Sequence, residues 1–151
     1  MIITFCGHAD FFGAQEYEEK MLNLLGNIAE DMPAEMYLGG YGGFDNFAYN
    51  CCRKYQVSHP NVSLLYITPY MTIEYQQKRL EECRKRYDGI IYPEIEKTPL
   101  RYAILQRNRW MVEKADYVIC AVAHSFGGAY KTYRYAKRKG KPIYNIMEKD
   151  F

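Results

Sequence analysis

The feature that most constrains this chain is a series of short, uniformly apolar runs that alternate with helical patterns. Residues 2–6, 62–67 and 117–122 are apolar almost throughout, rather than at every second position. Strands of this kind are typical of parallel sheets whose two faces are both covered by helices. Because helical patterns separate the runs, we predict an α/β fold of Rossmann-like type with a mainly parallel sheet.

Helices and weaker strands complete this pattern. We predict helices over residues 15–30, 44–55, 74–87, 100–114 and 129–139, and further short strands over 36–38, 89–92 and 142–146. Apolar spacing places Leu100, Ala103, Ile104, Trp110 and Met111 on the inward face of the fourth helix. The same argument predicts Tyr130, Tyr133 and Ala136 as the buried stripe of the last helix.

Length and charge limit the classes of protein to consider. A chain of 151 residues fits one domain, 1–151, and a net charge of +2 does not by itself indicate nucleic-acid binding. No apolar run reaches the ~18 residues of a membrane span. The first residues carry no basic leader or small-residue cleavage site, so we expect a soluble cytoplasmic domain.

Cysteine and tyrosine usage adds two expectations. The five cysteines contain no Cys-x-x-Cys pair, so we assign no metal and no cofactor. Cys6 and Cys120 fall in strand-like runs, where a thiol behaves as a small apolar side chain. Sixteen tyrosines exceed what a small core can satisfy with hydrogen bonds, and this favours a tyrosine-lined cleft or a homo-oligomer.

A glycine-rich loop, Gly39-Gly40-Tyr41-Gly42-Gly43, stands between a short strand and a helix. In parallel sheets ligands bind outside the carboxyl ends of the strands, where helix N-termini present unpaired amides. Two interpretations stay open: a phosphate cradle, or a turn that is merely tight. The loop is neither a Walker motif nor a complete Gly-x-Gly-x-x-Gly pattern, which disfavours kinase and dehydrogenase chemistry.

A second loop, His124-Ser125-Phe126-Gly127-Gly128, repeats the order of strand, glycine and helix. Ser125 is either a ligand to a phosphate or sugar, or the N-cap of the helix. His124 is either a structural residue at a strand end or a catalyst, and no cysteine or serine partner stands at an informative spacing.

Several short motifs, in this order, resemble the SLOG superfamily, which includes the Smf proteins and the LONELY GUY phosphoribohydrolases. They are Cys6-Gly7-His8, the loop 39–45, Arg107-Asn108, the strand 115–119, Gly127-Gly128, Thr132, Ala136 and residues 140–143. The resemblance covers nearly the whole chain and implies a nucleotide-like ligand.

The resemblance carries over only in part. Arg107 matches the arginine of LONELY GUY enzymes, but residues 127–134 hold no counterpart of their glutamate, so that mechanism is not expected here. Asp45 resembles the acidic residue after the glycine loop of Smf-like members, where it would accept a ribose hydroxyl. As a first-turn residue it also complements the helix dipole, and both interpretations stay open.

A basic run marks the last helix: Lys131, Arg134, Lys137, Arg138, Lys139 and Lys141. It is either an ordinary solvated helix face or a surface for single-stranded DNA, and the near-neutral net charge favours the first. We therefore do not expect nucleic acid as a partner.

The function predicted from these features is the binding or sensing of a nucleotide-like or phosphate-bearing small molecule. The alternatives are a nucleoside or nucleotide N-glycosidase or transferase, with Arg107 and Asp45 as candidate catalytic residues, and a DNA-handling protein. The predicted ligand-binding residues are Gly7, His8, Gly39, Gly40, Tyr41, Gly42, Gly43, Asp45, Thr68, Arg107, Ser125, Gly127 and Gly128.

Overall fold

A six-stranded parallel sheet is the centre of the molecule. The computed structural model describes residues 1–70, 74 and 76–148. Its strands are β1 (Ile2–Gly7), β2 (Ala34–Leu38), β3 (Val62–Ile67), β4 (Gly89–Ile91), β5 (Tyr117–Ala121) and β6 (Ile143–Asn145). They lie in the order β4-β3-β2-β1-β5-β6, and every neighbouring pair is parallel. The predicted α/β, Rossmann-like fold is confirmed.

Helices connect the strands. They are α1 (Gln15–Ala29), α2 (Gly42–Ser58), α3 (Glu81–Arg86), α4 (Ala103–Lys114) and α5 (Gly127–Arg138). A π-helical turn, Gln76–Leu80, precedes α3, and a 3-10 turn, Leu100–Tyr102, precedes α4. The single helix predicted over 74–87 is thus a π turn followed by a short α-helix, and its residue 75 lies outside the described residues. In the described part of the chain, each helix is too short or too polar to cross a membrane.

Separate apolar clusters cover the two faces of the sheet. Phe5 and Ile119 belong to the cluster that includes α1 and α2, whereas Cys6 and Cys120 belong to the one that includes α4 and α5. Successive side chains of a strand point to opposite faces, so neighbouring residues of β1 and β5 enter different clusters. The uniformly apolar strands follow from this two-sided burial.

Two predicted helix faces are right only in part, since Ala103, Met111 and Ala136 are buried as predicted while other members of each face are not. Leu100 is 67% exposed and Ile104 lies at a cleft rim, whereas Ala103, Arg107, Met111 and Val112 point inward from α4. Apolar spacing found Ala103 and Met111 but missed the centre of this face, because a buried arginine occupies it.

The buried face of the last helix is likewise shifted relative to the predicted one. In α5 the buried residues are Thr132, Tyr135 and Ala136, while Tyr130 and Tyr133 are half-buried. This orientation brings the Tyr135 hydroxyl to the carboxylate of Glu113 on α4, with which it forms a hydrogen bond. The buried position of Tyr135 therefore goes with a partner, Glu113, that lies on another helix, and apolar spacing within α5 cannot predict such a pair.

The strand order reverses at β1. The chain adds β2, β3 and β4 on one side of β1 and then returns to place β5 and β6 on the other side. The loops after β2 and β5 therefore flank the carboxyl end of β1. This is the topological switch point, where sheets of this kind bind ligands.

Candidate functional site

A cleft of about 470 Å³ opens at this switch point. Its walls come from the ends of β1, β2 and β5 and from α4. The predicted site residues that line it are Gly7, His8, Gly39, Tyr41, Asp45, Arg107, Gly127 and Gly128. The two glycine loops, which lie about ninety positions apart in the sequence, thus share one cavity.

In the first loop, the last two glycines permit close backbone packing. A Cβ at Gly43 would lie 2.4 Å from the carbonyl oxygen of Phe11, and one at Gly42, where φ is 86°, would lie 2.8 Å from Cα of Ala9. The Gly43 amide donates to the Ala9 carbonyl at 2.7 Å. Steric need accounts for both glycines, and the Gly43 amide already has its partner.

Gly40 is also required by its backbone conformation and by its close neighbours. Its φ is 73°, and a Cβ there would lie 2.7 Å from the Tyr66 ring. Its carbonyl accepts a hydrogen bond from Nη2 of Arg79 at 2.9 Å. Among the described residues, Gly39 is the only glycine of this loop that lines the cleft. Gly40, Gly42 and Gly43, which the sequence predicted as ligand-binding, do not line it.

In the second loop, the glycines open the N-terminus of α5. The N-cap is Phe126, whose side chain makes no capping bond, and a Cβ at Gly127 or Gly128 would meet no atom within 4 Å. The first amides of a helix have no partner within the helix, and the helix dipole gives this end a partial positive charge. This end of α5 is therefore suited to an anion. Ser125 is exposed, and the N-cap position, one of the two roles left open for it, belongs to Phe126.

Arg107 is the most buried charged residue of the cleft wall, with 2% of its surface exposed. Its Nη1 donates to the carbonyls of Gly39 at 3.0 Å and Ile67 at 2.7 Å, which follow or end two adjacent strands. Nε donates to Oδ1 of Asn108 at 2.9 Å. Within the described residues, Nη2 has no hydrogen-bond partner and no carboxylate lies within 4.0 Å of the guanidinium. Arg107 therefore leaves both donors and positive charge facing the cleft.

Asp45 stands beside Arg107 at Gly39. Its Oδ2 accepts the amide of Tyr41 at 2.9 Å, which caps the start of α2. Burial raises the pKa of Asp45 to about 6, although the Tyr41 amide and the charge of Arg107 both favour the carboxylate. Asp45 is thus both a helix-capping residue and a cleft carboxyl that titrates close to neutral pH.

A column of three rings forms the wall on the β5 side. His8 stacks on His124 with ring centroids 3.6 Å apart, and His124 stacks on Phe126 at 3.8 Å. Nε2 of His8 accepts the amide of Ala123 at 3.0 Å, so its proton is on Nδ1 when the ring is neutral. Burial and the neighbouring His124 lower the pKa of His8, which favours the neutral ring.

Thr68 lies apart from this site. Its hydroxyl donates to the carbonyl of Tyr70 at 2.9 Å, and its amide donates to the carbonyl of Ile91 at 2.9 Å, at the end of β3. The residue is buried and has a structural role there.

Sequence reasoning missed several lining residues, among them Asp10, Ile104, Asn108, Phe126 and Thr132. Asp10 had a usable signal, because it follows the first strand by three residues. Asn108 and Thr132 stood in the motifs of the family resemblance but were assigned no role. Ile104 and Phe126 carried no signal beyond apolarity.

One cysteine, Cys6, lines the cleft, and its hydrogen bond with Cys120 and its burial raise the pKa of its thiol, which favours the neutral form. All five are buried free thiols, and burial raises the pKa of Cys51 to about 12. Across residues 1–70, 74 and 76–148, no three His, Cys, Asp or Glu side chains come together as metal ligands.

Comparisons with known proteins find relatives by structure alone. No protein-family model and no curated protein matches the chain. DNA processing protein A from Helicobacter pylori, whose single-stranded DNA binding mode has been described, has 20% identity and a TM-score of 0.61 over 95% of this chain. The same protein from Streptococcus pneumoniae has 15% identity and a TM-score of 0.62 over 93%. This chain covers 63% and 48% of those two chains.

A third similar structure is the molybdenum cofactor carrier protein of Chlamydomonas reinhardtii. It has 13% identity and a TM-score of 0.55, and the match covers 94% of this chain and 73% of that one. The likeness to two such different proteins shows a shared fold. At 13–20% identity these likenesses show the fold alone, and it is a fold of the kind that the sequence resemblance implied.

Proposed function

We propose that this protein binds a small phosphate-bearing or nucleotide-like anion in the cleft between its two glycine loops. The observation that carries the proposal is Arg107, which is buried, faces the cleft and has no carboxylate within 4.0 Å among the described residues. A buried charge without a direct ion pair is costly. Asp45 lies beyond ion-pair distance of Arg107 and burial favours its protonated form, so an anionic ligand would supply the direct counter-ion.

The second support is the bare N-terminus of α5 in the same cavity. A Cβ placed at Gly127 or Gly128 would meet no atom of another segment within 4 Å, so the space beside these positions is open and a phosphate can reach the amides directly. Oδ1 or Oδ2 of Asp45, on the opposite side, suits a ribose hydroxyl. A cavity of about 470 Å³ falls in the size range of small-molecule sites.

The test compares two substitutions at one glycine. Gly128→Pro removes one amide donor in the first helical turn, where proline is tolerated, whereas Gly128→Ala keeps the amide. We expect Gly128→Pro to weaken the binding of adenosine 5′-monophosphate about tenfold by calorimetry, since a hydrogen bond to a charged group contributes ~1.5 kcal/mol. Gly128→Ala should bind like the native protein. Equal affinities for both variants, or no binding by the native protein, would contradict the proposal.

A second candidate function is cleavage of the bond between base and sugar, and the pKa of Asp45 favours it. A carboxyl that titrates near pH 6 in a cleft can act as a general acid or base, with Arg107 beside it. Release of free base from nucleoside monophosphates, abolished in Asp45→Asn while binding persists, is the required outcome. Binding without base release leaves the protein a binding or sensing module.

A third candidate is the handling of single-stranded DNA. Lys131, Arg134, Lys137 and Arg138 are exposed on α5, and Lys139 is exposed at its C-cap. Lys141 instead donates to the carbonyls of Glu113 and Ala115 and belongs to the fold. Phosphate contacts make such binding fall steeply with salt. The double variant Arg134→Glu, Arg138→Glu should weaken single-strand binding at low salt, and a flat titration of the native protein would remove this candidate.

A further inference from the structure

Phe126 stands in an unusual position for a phenylalanine. It is the N-cap residue of α5, immediately before the two open glycines, and 68% of its surface is exposed. A phenylalanine side chain stabilises a fold chiefly by burying its ring, and this ring leaves most of that area in solvent. It also lines the cleft. Burial in the fold therefore does not account for this side chain.

The ring is nevertheless held in a defined orientation. His124 stacks on it with an angle of 19° between the ring planes, and His8 continues the column behind His124 at 13°. His8 is itself fixed, because its Nε2 accepts the Ala123 amide and its own amide donates to the Ala121 carbonyl at 3.3 Å. An aromatic ring positioned in advance loses little conformational entropy when a second ring stacks on it.

The stacking surface and the anion site share one cavity. Gly127 follows Phe126 directly, so the open amides and the ring are contiguous. On the opposite wall Tyr41 is partly exposed, and its ring centroid lies 5.6 Å from Cζ of Arg107. A ligand with a phosphate at α5 and a planar ring near it would meet both surfaces at once.

We propose that Phe126 is a specificity-determining residue that stacks on the planar base of the bound anion. The site would then select nucleoside 5′-phosphates over sugar phosphates of equal charge. This inference rests on the proposed function and deepens it, because it concerns the base, which is the part of the ligand that the anion site does not contact. Stacking on an aromatic side chain contributes enough for about a tenfold preference.

The experiment measures dissociation constants for two probes that differ only by the base: adenosine 5′-monophosphate and ribose 5-phosphate. Each is titrated by calorimetry into the native protein, Phe126→Ala, Phe126→Trp and Phe12→Ala. Phe12 is a matched control, since it is 83% exposed and stands outside the cleft lining. Both phenylalanines are exposed, so neither alanine variant should unfold, and thermal denaturation checks this.

We expect the native protein to bind the nucleotide about tenfold more tightly than the sugar phosphate. Phe126→Ala should reduce that ratio to about one while leaving ribose 5-phosphate affinity within about twofold, and Phe126→Trp and Phe12→Ala should preserve the ratio. If both probes bind but Phe126→Ala leaves the ratio unchanged, the inference fails and the proposed function stands. If neither probe binds the native protein, the proposed function fails and the inference fails with it.

Discussion

The two glycine loops carry the same sequence signature but differ in what their glycines do. After β2, Gly42 and Gly43 let the backbone pass against Ala9 and Phe11, and the Gly43 amide is already bonded there. After β5, a Cβ at Gly127 or Gly128 would meet no atom of another segment within 4 Å, and these glycines open a helix N-terminus toward the cleft.

The difference assigns separate roles to the two loops. The first loop is a packed support whose Gly39 carbonyl holds Arg107 and whose Tyr41 amide holds Asp45. The second loop contributes main-chain donors. A sequence pattern of strand, glycine and helix therefore predicts a tight connection. It does not predict whether the amides of that connection are free, because the carbonyl that accepts from them can lie elsewhere in the chain.

The largest effect on stability should come from the residue that the first loop holds. Arg107→Ala removes a fully buried side chain and leaves the carbonyls of Gly39 and Ile67 without their donor. We expect the free energy of unfolding to fall by about 2–4 kcal/mol in urea denaturation, because each buried carbonyl left without a donor costs about 1–3 kcal/mol. A loss below about 1 kcal/mol would mean that Arg107 does not anchor this loop.

A smaller loss should follow from crowding the first loop. In Gly43→Ala the new Cβ would lie 2.4 Å from the Phe11 carbonyl oxygen and 2.8 Å from that of Ala9, and backbone atoms cannot move aside cheaply. Urea denaturation should show a loss of about 1–3 kcal/mol. If Gly43→Ala were as stable as the native protein, the first loop would not be more tightly packed than the second.

The pH dependence of stability sharpens the account of Asp45. Because its folded pKa is about 6 and its unfolded pKa about 3.9, the folded state holds the proton more tightly. Its contribution is fully present below about pH 4 and is lost as the pH rises through about 6. Between these values, the stability of Asp45→Asn relative to the native protein should rise by about 1–2 kcal/mol, after allowance for partial solvation. A difference that is constant with pH would show that burial does not perturb this carboxyl.

The smallest effect should come from the second loop, and with the opposite sign. Gly128→Ala adds a Cβ into open space in the first turn of α5. Alanine favours a helix over glycine, so stability should rise by up to about 1 kcal/mol. The same denaturation experiment measures this, and a loss comparable to that of Gly43→Ala would show that the second loop is packed as well.

Sequence reasoning succeeded where the signal was local. The strand predicted over 62–67 matches β3, and the strand predicted over 117–122 matches β5 to within one residue, because two-sided burial makes such strands uniformly apolar. The position of the cleft also follows from the predicted parallel sheet, since parallel strands bring their following loops to one edge.

It failed where the partner is distant in sequence. Arg107 is buried because carbonyls some forty and sixty-eight residues away accept its hydrogen bonds, and a periodicity of apolar residues cannot register this. Gly43 differs from Gly128 because Ala9 and Phe11 lie against it. The stack of His8, His124 and Phe126 joins residues from two loops whose proximity depends on the pairing of β1 with β5.

The most direct test of the account is a titration of ¹⁵N-labelled protein with inorganic phosphate, followed by amide chemical shifts. The account predicts saturable shifts at the amides of Gly127 and Gly128 and at the side-chain Nη2–H groups of Arg107, with the Gly43 amide unchanged because the Ala9 carbonyl already binds it. Shifts centred on Gly42 and Gly43, with Gly127 and Gly128 unaffected, would contradict it.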